Sequence, residues 1–99
     1  MIVGMIKLNI YVPWVHSLKE KRMEVRSICD RVSNKFNTSI AEVDKQDSHK
    51  EIVLGIAWVS NSSAHGDSIG DKIINFIEDI TDGEIIDIQR EILSVGEEY

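Results

Sequence analysis

Ser17, Lys19, Lys21, Arg22 and Arg26 crowd one short stretch, "HSLKEKRMEVR". A hydroxyl beside four cations suits the binding of a phosphate or another anion. Free backbone N–H groups at a helix start point toward such a ligand, and Lys or Arg side chains add charge-assisted hydrogen bonds. The stretch reads as a helix start, with Ser17 as cap and Glu20 three positions on, the pattern of a capping box. Four cations in the first turns of a helix oppose its macrodipole. On a helical wheel centred on Val25, steps of about 100° per residue bring Lys21 and Arg22 within about 60° of the inward stripe. Lys19 and Arg26 fall further round. An anion would account for both features. A competing reading has Lys21 and Arg22 running their stems past the sheet rim, with Glu20 and Glu24 offsetting the charge.

No other group of residues makes a comparable site. Asp44, Asp47 and His49 lie in "EVDKQDSHK", but their spacing matches no zinc or calcium pattern, and turn chemistry explains them. His65 sits at the boundary of a helix stripe, and His16 flanks the cap. Cys29 lies on an apolar stripe and reads as packing. Trp14 and Trp58 lie near strand ends, where lone aromatics belong to core or rim. There is no glycine-rich phosphate loop, catalytic triad or metal spacing. No metal, no cofactor and no enzymatic activity are therefore expected.

The elements that must position these residues follow from periodicity. Residues 2–12 alternate as a strand, with Ile2, Gly4, Ile6, Leu8, Ile10 and Val12 on one face and Val3, Met5, Lys7, Asn9 and Tyr11 on the other. Pro13 ends it. The helix from Ser17 has Leu18, Val25, Ile28, Cys29, Val32 and Phe36 on one stripe. Residues 38–44 make a short strand, and "KQDSHK" is a connector of hairpin length. Residues 51–60, "EIVLGIAWVS", are apolar on both faces, as in a central strand. "SNSS" offers caps for a second helix over 64–81, with the stripe Ile69, Ile73, Phe76, Ile77 and Ile80, stopped by "TDG". Residues 84–94 form a last strand, and "VGEEY" reads as a loose tail.

The order β-α-β-β-α-β narrows to a ferredoxin-like sandwich of one domain over residues 1–99: a four-stranded antiparallel sheet with both helices on one face. The other face is then open. It receives Val3, Met5 and Tyr11 from the first strand, and Val53, Gly55, Ala57 and Val59 from the third. A patch this apolar is expected to be buried by self-association as a homodimer, or by a protein partner.

Composition bounds the function classes. The 99 residues carry a formal charge of -6, with 42% hydrophobic residues and a single cysteine. Residues 1–36 hold seven Lys/Arg against three acids, whereas residues 37–99 hold four against fourteen. Such a chain does not coat nucleic acid indiscriminately, but one basic face can still meet phosphates. No apolar run approaches the ~20 residues of a membrane span. "MIVGMIKLNI" lacks the basic leader and cleavage site of a signal peptide, so a cytoplasmic location is expected.

Three segments, "MIVGMIKLNIYVPWVHSLKEKR", "SIAEVDKQD" and "LGIAWVSNSSAH", together resemble the YlxP-like proteins, small bacterial proteins classed as a domain of unknown function. The distinctive parts are Ser17–Arg22, Ala41–Asp44 with Gln46–Asp47, and Ser60–Asn61 with Ala64–His65. The resemblance spans nearly the whole chain and implies a ferredoxin-like βαββαβ fold, with no established activity or cofactor. Family genes often neighbour those for transcription-termination, translation-initiation and ribosome-maturation factors. The resemblance therefore implies ribosomal RNA or a ribosome-assembly factor as partner. A domain of this fold can also form a ligand cleft on dimerising, a third class by analogy alone.

Overall fold

In the computed structural model, which describes residues 1–96, the elements run β1 (Ile2–Tyr11), α1 (Leu18–Lys35), β2 (Ser39–Asp44), β3 (Glu51–Ser60), α2 (Ser63–Ile80) and β4 (Glu84–Ser94). The sheet order is β2-β3-β1-β4, with every neighbouring pair antiparallel. This is the ferredoxin-like arrangement expected from the sequence. Of the expected tail, residues 97–99 lie outside the described residues.

The alternation of β1 is realised. Ile6, Leu8 and Ile10 are buried beneath the helices, where they meet Leu54 and Ile56 of β3, Ile28 and Val32 of α1, and Ile73 and Ile77 of α2. Burying each such side chain is worth roughly 1.5–3 kcal/mol. Both helix starts are capped as their sequences suggest. Ser17 Oγ accepts from the Glu20 N–H at 3.1 Å, and Ser62 Oγ accepts from the His65 N–H at 3.2 Å. The Glu20 carboxylate reaches one residue beyond the usual box, to the His16 N–H at 2.9 Å. α2 ends at Thr81 in extended backbone. Gly83 is needed for space, since a Cβ there would press into Ile10 and the Tyr11 carbonyl.

Trp58 fixes how α2 lies on the sheet. Its indole N–H donates to the Gly66 carbonyl at 2.9 Å, a buried hydrogen bond. A Cβ on Gly4, its cross-strand neighbour, would overlap the indole, and one on Gly70 would meet it at 3.1 Å. Gly70 of α2 therefore exchanges helix propensity for a close approach to the ring.

Lys21 departs most from expectation. It is buried, at 0% exposure. Its ammonium donates to the carbonyls of Lys45 (2.7 Å), Ser48 (2.6 Å) and Glu51 (3.2 Å). Glu42 Oε2 stands 2.7 Å away. That oxygen is buried, and the contact is a close ion pair. The β2–β3 connector thus folds around a cation supplied by α1. Lys45 is held at φ 53° inside it, a left-handed conformation unusual for a side-chain-bearing residue. Lys50 completes the junction by donating to the carbonyls of Pro13 and Val15.

Beside this junction, Glu51 Oε1 accepts from Asn9 Nδ2 at 2.9 Å and from Lys45 Nζ at 3.0 Å. The Asn9 hydrogen bond foremost, then Lys45, holds its carboxyl below the usual range. A depressed carboxyl pKa adds stability above the unfolded-state pKa, and that stability is lost as pH falls through the folded-state pKa. Asn9→Ala is expected to raise the Glu51 titration midpoint in carboxylate-resolved NMR; an unmoved midpoint would remove Asn9 as the cause.

Lys21→Met strands the buried Glu42 carboxylate, so about 3–5 kcal/mol of destabilisation is expected in urea unfolding. Lys21→Met combined with Glu42→Leu should recover part of that loss. No recovery would show that Glu42 is not the decisive partner.

Candidate functional site

The five residues proposed for an anion site do not converge. Ser17 spends its hydroxyl on the helix cap. Lys21 is corrected outright: its ammonium is enclosed by protein oxygens and cannot reach a ligand. The wheel placed it near the core edge, and the core supplied its counter-charge from β2, not from Glu20 or Glu24.

Lys19, Arg22 and Arg26 remain exposed. At about 100° per residue they fall within about 60° of one another, along one flank of α1. None of the three has an ion-pair partner within 4 Å among the described residues. Glu20, the acid of the first turn, is committed to the His16 N–H. The result is a short stripe of free positive charge spanning two turns. Of the remaining cations, Lys7, Lys45 and Arg90 are ion-paired with Asp44, Glu51, and Asp67 with Asp71, whereas Arg31, Lys35, Lys50 and Lys72 have no such partner among the described residues. The stripe stands out by clustering, with three such cations on one side of the first turns of α1.

The open sheet face also differs from its expected composition. Val59 is 62% exposed and Tyr11 is exposed, while Val3, Met5 and Ala57 are half-buried. Val53 is only 3% exposed, so it drops out of the interface set. It lies between Asn9 and Asp44 in the register. A bulge between Glu42 and Asp44 lays Val43 over the neighbouring Gly55. Val43 itself is exposed, as is Leu93, which pairs with Val3. Sequence reasoning missed both, because their faces depend on bulges and register that alternation alone does not reveal. Toward the other end of the face β4 contributes Asp87, Gln89 and Glu91 opposite Asn9, Lys7 and Met5. The face is apolar at one end and acidic at the other.

Two shallow hollows are present. One, of about 260 Å³, is lined by Met5, Ile6, Lys7, Gln89, Arg90 and Glu91. The other, of about 340 Å³, is lined by Lys35, Phe36, Lys72, Asn75, Phe76 and Asp79. There Lys35 Nζ sits 5.2 Å from the Phe76 ring centre, and the two phenyl rings meet edge to face. Neither hollow includes the stripe. Among the described residues no three His, Cys, Asp or Glu side chains gather as a metal site, and no helix is long and apolar enough to cross a membrane. Cys29 is half-buried; burial first, then Asp30 and Glu42, push its thiol upward.

Comparison with known proteins bears on the family and the fold. A family model described as "Protein of unknown function (DUF503)" matches residues 3–90. The "Uncharacterized protein YlxP" of Bacillus subtilis (strain 168) is 35% identical over 77 residues, covering 78% of this chain and 84% of its own. A de novo designed protein with a ferredoxin fold, solved by NMR, superposes with a TM-score of 0.57 at 17% identity, covering 100% of this chain and 92% of the other. An Arabidopsis thaliana protein superposes with a TM-score of 0.52 at 12% identity, covering 98% of both chains. The two superpositions are likenesses of fold alone.

Cys29 is expected to react slowly with a small alkylating reagent near neutral pH, because the thiolate is the nucleophile and its environment disfavours it. Its rate should climb only above the ordinary thiol range. Rapid labelling at pH 7 by intact-mass spectrometry would contradict this.

Proposed function

We propose that this chain, which belongs to the DUF503 family of proteins of unknown function, is a non-enzymatic binding module that docks on phosphates of structured RNA. The contacting groups are Lys19, Arg22 and Arg26. What supports the reading is one observation: three neighbouring cations on one helix side carry no protein counter-charge. Two guanidiniums and an ammonium spread over two turns match the spacing of successive phosphates better than a single buried anion. Contacts of this kind set position without reading sequence. The acids of β4 and α2 repel a polyanion elsewhere, so binding is confined to one side. Ribosomal RNA or a ribosome-assembly intermediate in the cytoplasm is the target class in this proposal.

A second reading rests on a different surface. Val59 is 62% exposed and lies beside Val3 and Leu93 on the open sheet face. A protein partner, such as an assembly factor, could cover that end. Association through it would be insensitive to salt and lost on Val59→Asp.

The first measurement is sedimentation of a lysate on sucrose gradients at low and high salt. Co-migration with a ribosomal subunit that high salt abolishes is the expected result. The variant Lys19→Glu/Arg22→Glu/Arg26→Glu should then stay at the top of the gradient while keeping the wild-type unfolding midpoint within a few degrees. With purified RNA, each cation removed should lower the slope of log affinity against log salt by about 1. Unchanged binding by the triple variant would overturn the assignment.

A further inference from the structure

The outer side of β4 faces no strand among the described residues. Unpaired edges invite another strand, and proteins usually blunt them with proline, lysine, bulges or shortness. β4 is eleven residues long and contains no proline and no lysine. Its irregularity, beside Ile86, lies near its start, which leaves residues 87–94 regular. Apolar groups lie exposed on both of its faces. Ile88 and Ile92, opposite Leu8 and Gly4, are on the helix side at 39% and 37% exposure; Leu93, opposite Val3, is on the open side at 48%.

We propose that two copies of this chain join through β4, antiparallel about a two-fold axis with Arg90 facing its own copy. The strand's own side chains select the partner and the register. Directly opposed residues must share a face, so the pairing can be centred only on a residue. Centring on Glu91 would set two carboxylates against each other. Centring on Gln89 would set Asp87 against Glu91 twice. Centring on Ile88 runs the pairing into the irregularity at Ile86. Centring on Ile92 leaves Ile88 with no apolar counterpart, since it falls opposite Gly96 beyond the strand. Centring on Arg90 sets Ile88 against Ile92 twice on the helix side and Gln89 against Glu91 twice on the open side, with Asp87 against Leu93 at each end. Each exposed isoleucine then meets another, and each Glu91 faces an amide donor.

The central pair of guanidiniums is already neutralised. Arg90 reaches α2 of its own chain, with Nη1 at 2.7 Å from Asp71 and Nη2 at 3.1 Å from Asp67. Four carboxylates therefore surround two guanidiniums at the axis. The product is one continuous eight-stranded sheet, and a second copy of this chain is its occupant because the strand complements itself.

Sedimentation equilibrium at tens of micromolar should give twice the 11.2 kDa chain mass. Ile88→Lys/Ile92→Lys should return the monomer mass with an unchanged fold by circular dichroism. The register is read by cysteine pairing in a Cys29→Ser background. Opposed residues of an antiparallel pair lie about 4.5–5.5 Å apart, within disulfide reach. A refolded mixture of Gln89→Cys and a mass-tagged Glu91→Cys should give the mixed disulfide dimer under mild oxidation, and neither variant alone should cross-link. A wild-type monomer at these concentrations overturns the proposal. So does cross-linking of either variant with itself in place of the mixed product.

Discussion

A charged nitrogen with no access to water organises this fold. Moving an ammonium out of water costs several kcal/mol even after relaxation, and only close, well-aimed oxygens offset it. Lys21 finds them in three carbonyls of the β2–β3 connector and the Glu42 carboxylate. The constraint acts in both directions. The connector has few apolar groups of its own, and its carbonyls need a donor. The helix, in turn, is held in register with β2 by an ion pair whose distance tolerates little slip. Lys45 keeps its left-handed backbone because Asp44, Glu51 and Lys21 all fasten it. Lys50 ties the same connector to the turn after β1. One end of the sandwich is thus stapled by lysine ammoniums, where an apolar core would leave carbonyls unsatisfied.

That use of Lys21 sharpens the remaining surface. A cation turned inward to meet Glu42 is not part of a binding face. Lys19, Arg22 and Arg26, left outside, have no ion-pair partner among the described residues. A chain with formal charge -6 that keeps three neighbouring cations unpaired concentrates its positive potential over two helical turns. Acids on β4 and α2 shape the same field by making other approaches unfavourable. Under the RNA-docking proposal, the acidic composition would restrict where a polyanion can sit.

The strands, helices and their order were legible in the sequence for simple reasons. The strict alternation of β1, the two-sided apolarity of β3 and the Ser17 and Ser62 caps each have one structural solution. What was not legible depended on contacts between elements. Lys21 and Arg22 are adjacent, both cationic and equally near the core edge on a wheel. Glu42, twenty residues on, decides which turns inward. Val53 belongs to the open face by parity, yet it is buried between Asn9 and Asp44, its partners on either side. The exposure of Leu93 follows from the β1–β4 register, which Ile86 shifts by one residue. Periodicity sees the pleat and the helix turn; it does not see bulges or buried ion pairs.

The basic stripe and the bare edge of β4 belong to opposite sides of the sheet. α1 supplies Lys21 to Glu42 of β2, at one end of the order β2-β3-β1-β4, and β4 is at the other. Pairing β4 with its copy therefore occupies neither stripe and places one near each outer edge of the combined sheet. In the proposed dimer, two such stripes on one rigid body would engage an RNA together only if its phosphates matched their separation. Where they do, the second contact forms at high effective concentration and multiplies a weak affinity without any new residue. Where they do not, the second stripe adds nothing. A module whose single stripe binds weakly would on this geometry select its target by shape, through the spacing of two backbone segments, and the bases would not need to be read.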